Sequence, residues 1–336
     1  MSIKTTVIGS PLAGTSVLFC ILDVLASVGR DWEMLHGLPA QVPVFDVSLR
    51  TADGAPYWDV NGRKITPDAM LDEGPEADLV IVPDMHFDPN GGFPDAYRRM
   101  ADWIAAAHAR GAIVTSVCSG AVLLGAAGLL DGKEATTHWG YADMLGRAFP
   151  DVKVCRERIL VPAGEGHRVV TAGGVSAWAD LMLYLIARYA GTDEARRIAK
   201  LYLIDPHSEG QLTYASLTTG RSHDDQLIAD VQVWAARNYD APSPVAAMAE
   251  HAQMTERGFL RRFKKATGQA PTDYIRTLRV EEAKQLLETT AMAVEDISAE
   301  VGYSEPSSFR AAFRKRVGVS ASAYRRKWQA LAPIRT

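Results

Sequence analysis

Several large classes of protein are argued against by what this chain has little of. Three cysteines in 336 residues do not make the disulfide framework of a small secreted domain. Apolar stretches near the start are interrupted by Asp23, Arg30, Asp31 and Glu33, which argues against a signal peptide or membrane span. No Gly-rich fingerprint follows an early strand, so a dinucleotide site is not expected; the glycine pairs at 91–92 and 173–174 read as turns. His, Cys, Asp and Glu do not gather at metal-ligand spacing. Neither metal nor cofactor is therefore expected, and a cytoplasmic location is the default.

What is present is ordinary for a globular chain: 47% hydrophobic and 23% charged residues. The formal charge of −4 hides an asymmetry, with the last third net positive and the rest acidic. The placement of the cations matters more than their sum. Arg257, Arg261, Arg262, Lys264 and Lys265 form one basic run, and Arg310, Arg314, Lys315 and Arg316 a second.

These runs belong to an internal repeat. Val245, Met248, Ala252, Met254 and Thr255 recur as Val294, Ile297, Val301, Tyr303 and Ser304 at an offset of 49, and Phe259, Phe263, Gly268 and Tyr274 recur as Phe309, Phe313, Gly318 and Tyr324 at an offset of 50. One residue is thus inserted before the second basic helix. Each copy reads as a short helix, a turn and a longer helix, with Thr255 and Ser304 as N-caps. The i, i+4 phenylalanines share one buried stripe and leave the cations on other faces. A cationic helix after a short helix and a tight turn is the geometry that enters a major groove.

Upstream, strand-like and helix-like stretches alternate: strands near 4–10, 42–49, 78–82, 112–116 and 168–172, and helices near 17–29, 95–110, after Ser119, and 176–190. This alternation implies a parallel sheet covered by helices. Cys118 stands between a β-rich run and a small-residue helix. A sharp turn there would put sulfur near free helix N–H groups, lower the thiol pKa and prepare an anion-binding pocket. Cys118, Ser119 and Gly120, with His138 approaching from Thr136-Thr137-His138-Trp139, are the candidate ligand-binding residues. The plainer reading of Cys118 is a small buried residue at a sheet–helix junction.

The segment 225–328 resembles the DNA-binding domain of AraC/XylS transcription regulators. The match rests on Phe259 through Lys265 with Ala266-Thr267-Gly268, Leu278 through Ala283 with Leu286-Leu287, and Ile297 through Tyr303 with Phe309 and Phe313. The resemblance implies two helix-turn-helix subdomains joined by a long helix near 271–289, with recognition helices in successive major grooves. Thr255, Arg257, Arg261, Lys264, Lys265, Ser307, Arg310, Arg314 and Lys315 are then the DNA-binding candidates. Arg257 and Arg261 are expected on bases of the first groove, Ser307 and Arg310 on bases of the second, and Arg314 and Lys315 on phosphates.

Residues 5–190 resemble the ThiJ/PfpI group of the class I glutamine amidotransferase-like superfamily. The match centres on Asp78–Pro83, the cysteine elbow at 114–121, Gly128 through Trp139, and Thr171-Ala172-Gly173-Gly174 before the helix at 176–190. Cys118 matches the family nucleophile, and His138 lies in the segment typical of the regulator branch. One departure matters. Many ThiJ/PfpI proteins bring an acidic residue from an early helix to the cysteine, yet 12–22 contains no Asp or Glu and Val17 stands near that slot. A nucleophile needs a base and an orienting group.

The expectation is therefore an α/β ThiJ/PfpI-type sensor and dimerisation domain over 1–190, a linker over 191–222, and an all-α double helix-turn-helix domain over 223–336. Its function is that of a sequence-specific, non-catalytic transcription regulator. The partners are double-stranded DNA, a small-molecule effector, a second copy of the chain and RNA polymerase, with no membrane. The alternatives are a cysteine-dependent hydrolase, hydratase or glyoxalase-like enzyme centred on Cys118, or an interaction module that has lost both ligand binding and catalysis.

Overall fold

Residues Thr5 to Ile8 are buried on both sides of their strand, as in strands covered by helices on each face. The computed structural model describes residues 2–74, 76–216 and 223–329. Its main sheet contains β1 (Ile3–Ile8), β2 (Phe45–Thr51), β3 (Ala69–Met70), β4 (Leu79–Val82), β5 (Ile113–Val117), β6 (Leu160–Ala163) and β7 (Val169–Ala172), in the spatial order β6-β7-β5-β4-β1-β2-β3. Neighbours are parallel except at the edge, where β6 and β7 are antiparallel. The expected parallel sheet is thus corrected to a mixed one. The turn between β6 and β7 carries Gly164 and Gly166 at φ 72° and 60°, and it is far too short for the crossover that a parallel pair requires.

Helices α1 (Thr15–Ser27), α2 (Arg98–Ala109), α3 (Ala121–Ala126) and α4 (Trp178–Ala190) cover the sheet. On one face Leu18, Ile21 and Leu25 of α1 and Leu181 and Leu185 of α4 pack with Val7, Leu79 and Ile81. On the other, Ile104 of α2 and Leu123 and Leu124 of α3 pack with Val80, Val82 and Val114. Helix α5 (Thr192–Leu201) packs beside α4.

The chain divides into two compact units, Met1–Gln211 and Leu212–Thr336. The stretch expected as a linker is therefore split: α5 and the loop after it belong with the sheet, because α5 buries Ala195 and Ile198 in the same core as α4. The polar end of that stretch, 217–222, lies outside the described residues.

The second unit is largely helical, with α6 (Gln226–Ala235), α7 (Pro244–His251), α8 (Glu256–Thr267), α9 (Pro271–Thr289), α10 (Val294–Glu300), α11 (Pro306–Val317) and α12 (Ala321–Gln329). Long α9 serves two cores. Its first turns place Tyr274 and Ile275 with Phe259, Phe263 and Met248; its later turns place Val280, Ala283 and Leu287 with Ile297, Phe309 and Phe313.

Candidate effector pocket and nucleic-acid interface

Strands β4 and β5 run parallel with Val82 opposite Ser116. Two residues further on, Asp84 and Cys118 stand level beyond the carboxyl ends of their strands, where open α/β sheets bind ligands. Cys118 has φ 55°, a left-handed conformation that side chains seldom adopt and that marks a strained, held turn. The turn is held from three sides. A Cβ on Gly120 would lie 2.4 Å from the Pro83 carbonyl oxygen and 2.9 Å from that of Val82, so only glycine fits. The Ser119 hydroxyl accepts from the Met85 N–H at 2.8 Å and donates to the Met85 oxygen at 2.5 Å. The Thr137 hydroxyl donates to the Cys118 carbonyl at 2.8 Å. Ser119 thus staples the loop after β4 to the elbow.

The electrostatics reverse the lowered pKa expected of a thiol at a sharp turn and agree with the plainer reading of a small buried cysteine. Burial, and after it the charge of Asp84, pushes Cys118 up to about 12. A buried thiolate loses its hydration, and this outweighs the short turn at the start of α3. Asp84 is itself 7% exposed, one of its carboxylate oxygens has no hydrogen-bond partner among the described residues, and burial holds its carboxyl above the ordinary value. Gly14, at the start of α1, makes room for it: a Cβ there would lie 2.2 Å from a carboxylate oxygen of Asp84. The early helix indeed supplies no acid, since Val17 is buried in the core, but a carboxyl arrives from the end of β4 instead. Sequence reasoning missed it, although an acid directly after Pro83 on the strand beside the cysteine strand was the available signal. It also missed Tyr141, whose hydroxyl donates to the Phe87 oxygen at 2.8 Å. Burial, and then Cys118 and Asp84, raise that phenol.

His138 is held by its own segment. Its Nδ1 accepts from the Gly140 N–H at 3.0 Å, and its ring lies 4.8 Å from that of Trp139 and 6.2 Å from that of Tyr141. Burial lowers its pKa. Among the described residues no hydrogen bond joins it to the thiol.

In the second unit the repeat is visible in its packing. Ring centroids are 5.5 Å apart for Phe259–Phe263 and 5.3 Å for Phe263–Tyr274; in the second copy Phe309–Phe313 is 5.6 Å and Phe313–Tyr324 5.7 Å. Both basic helices end on left-handed glycines, Gly268 and Gly318. The turns before them carry the same backbone at equivalent places, Gln253 at φ 52° and Gly302 at φ 82°.

The caps differ. Thr255 accepts from the Gly258 N–H at 3.3 Å. Ser304 is not the second cap, because the inserted residue moves that position to Glu305, with Pro306 opening α11. Arg257, Arg261, Lys264 and Lys265 on α8 and Ser307, Arg314 and Lys315 on α11 are exposed. Among the described residues their cations make no ion pair. Three other arginines are engaged: Arg262 grips Asp225 at 2.8 and 2.9 Å, Arg316 meets Asp273 at 3.2 Å, and the candidate Arg310 meets Glu295 at 3.0 Å. Any phosphate or base must compete with that last pair.

Comparison with known proteins matches the two units separately. Residues 21–188 fit the DJ-1/PfpI family, and residues 248–327 fit a helix-turn-helix domain. The HTH-type transcriptional regulator CdhR of Pseudomonas aeruginosa is 29% identical over 291 residues, covering 85% of this chain and 83% of that protein. The HTH-type transcriptional regulator GbdR of Pseudomonas aeruginosa is 27% identical over 318 residues, covering 90% and 82%. The isonitrile hydratase of Pseudomonas putida is 32% identical over 161 residues, covering 47% of this chain and 66% of the enzyme.

Proposed function

We propose a division of labour for a chain that belongs to the DJ-1/PfpI family and carries a C-terminal helix-turn-helix domain: α8 and α11 each enter a major groove of double-stranded DNA, and the elbow around Cys118 holds a small-molecule effector. The protein is a DNA-binding transcriptional regulator with a sensor-like first domain. In this reading α7–α8 and α10–α11 are two helix-turn-helix subdomains joined by α9. The observation that carries it is the repeated Phe–Phe–Tyr core, which in both copies leaves cations of the basic helix facing water. Arg257 and Arg261, and Ser307 and Arg310, read bases; Lys264, Lys265, Arg314 and Lys315 hold phosphates; the Thr255 hydroxyl caps the first reading helix.

The first domain, 1–190 and the chain packed on it, senses and dimerises in the cytoplasm, and the DNA-bound dimer contacts RNA polymerase. Two copies match repeated half-sites and raise affinity through effective concentration. The regulator reading is preferred to an enzymatic one because the thiol is held neutral with a carboxyl beside it, the reverse of an activated cysteine. Footprinting purified protein across its own genomic neighbourhood tests the reading. Discrete protected sites one helical turn apart are expected, and purely non-specific, salt-sensitive binding would reject it. Likeness to an isonitrile hydratase keeps the enzyme alternative open to one direct assay. Cys118-dependent turnover of amides, isonitriles or α-oxoaldehydes would make catalysis primary.

A further inference from the structure

The last residues of the first unit come back to the elbow. His207 is clamped on α4, its N–H donating to Asp180 Oδ1 at 2.9 Å and its Nδ1 lying 2.7 Å from Asp180 Oδ2. Four residues on, Gln211 is 2% exposed and its side-chain amide lies over Gly173-Gly174. Its Nε2 stands 2.8 Å from the Thr137 oxygen and 3.2 Å from both Thr136 Oγ1 and the Arg158 oxygen. Its own N–H donates to the Glu157 oxygen at 3.2 Å. Three acceptors around one end of the amide fix that end as the NH2. The other end, Oε1, is buried and has no hydrogen-bond partner among the described residues.

The space is tight. A Cβ on Gly173 would lie 2.9–3.0 Å from the amide atoms of Gln211; one on Gly174 would lie 3.5 Å from His138 Cδ2 and 3.8 Å from Oε1. Thr137, whose carbonyl holds the amide, gives its hydroxyl to the Cys118 carbonyl. One residue therefore ties the elbow to Gln211, the residue directly before Leu212, where the second unit begins.

We propose that Gln211 is the latch by which occupancy of the Cys118 elbow reaches the DNA-binding unit, and that the effector bears an N–H or O–H group that donates to Gln211 Oε1. Buried carbonyl oxygens are rarely left unpaired in native proteins, so a ligand that supplies the missing donor holds the latch more firmly. Gln211 is a positioning residue, and the inference rests on the regulator reading above.

The glycine below it permits a test in the full-length chain. Gly173→Ala places a methyl group 2.9–3.0 Å from the amide atoms and displaces them, because the amide is the far end of a flexible side chain and yields before the backbone does. Gln211→Ala removes it. Hydrogen exchange of the 207–211 amides should quicken roughly tenfold in each variant, the scale of one net hydrogen bond. Affinity for a footprinted site should shift in the same direction for both. The double variant should match Gln211→Ala alone, since the methyl group then meets nothing. Unchanged exchange in Gly173→Ala, additive effects in the double variant, or faster exchange with unmoved DNA affinity would each overturn the latch. A wild-type chain with no specific DNA site would instead overturn the regulator reading, and the coupling with it.

Discussion

Replacing Asp84 with asparagine keeps the side chain's shape and removes its charge, which separates the two things this carboxyl does. In the folded protein the group is buried, has one oxygen without a partner, and titrates above its ordinary value of 3.8. A carboxyl raised on folding favours its protonated form. Its contribution to stability is complete below the ordinary value and is lost as pH rises through the folded one. Asparagine does not titrate and escapes that loss. A buried acceptor left unsatisfied costs about 1–3 kcal/mol, and more when it is charged. Asp84→Asn should therefore exceed wild type in stability near neutral pH by an amount on that scale, and lose the advantage toward about pH 3. For a unit of this size each kcal/mol moves the melting temperature by about 2–4 °C, which calorimetry resolves. The same change acts on Cys118, where burial is the larger cause and Asp84 the second. The pH midpoint of iodoacetamide labelling should fall from about 12 but remain above that of an exposed cysteine. A variant less stable than wild type at neutral pH, or an unaltered labelling profile, refutes the account.

Phe263→Ala and Phe313→Ala, both in fully buried positions, should each cost about 3–5 kcal/mol, read by urea unfolding of the full chain. Thr255→Ala should cost about 1 kcal/mol through the lost cap, while Ser304→Ala, outside the cap, should stay within roughly 0.5 kcal/mol. Arg261→Ala should remove about 1–3 kcal/mol of discrimination between specific and scrambled DNA. Lys315→Ala should weaken both alike and reduce the salt slope by about 1; titrations at several salt concentrations distinguish these outcomes.

The parts legible in the sequence were those with a period or an offset. The i, i+4 phenylalanines and their recurrence 50 residues later placed α8 and α11, and the apolar run 79–82 marked β4 as a buried strand. Geometry set by neighbours was not legible. Asp84 reaches Cys118 because Val82 pairs with Ser116, a register that no local pattern states. The thiol follows the plainer of the two expectations, a small buried cysteine, because burial at the sheet–helix junction outweighs the short turn leading into α3. Ser304 lost its cap to the single inserted residue, visible as an offset but ambiguous in its placing. Gln211 was hidden furthest, since a polar loop 93 residues after Cys118 gives no sign that it folds back over Gly173.

The elbow's chemistry bears on what kind of signal it can send. With the thiol pushed up to about 12 by burial and Asp84, it is protonated at neutral pH, and a nucleophile held in its neutral form adds little to catalysis. The features that would present a nucleophile remain useful for another reason. The strained backbone at Cys118, the close approach at Gly120 and the Ser119 staple fix two loops against each other, so the elbow is a rigid wall. A rigid wall binds, but binding alone transmits nothing: a ligand shifts an equilibrium only by its differential affinity for two arrangements. On the latch proposal the side chain that answers to the wall is the Gln211 amide, tight against Gly173 and, among the described residues, without a partner for its Oε1. An effector that met only Cys118 and Asp84 would bind without regulating. On the latch proposal, regulation requires that it also touch the amide, or move Thr137, whose carbonyl oxygen holds it.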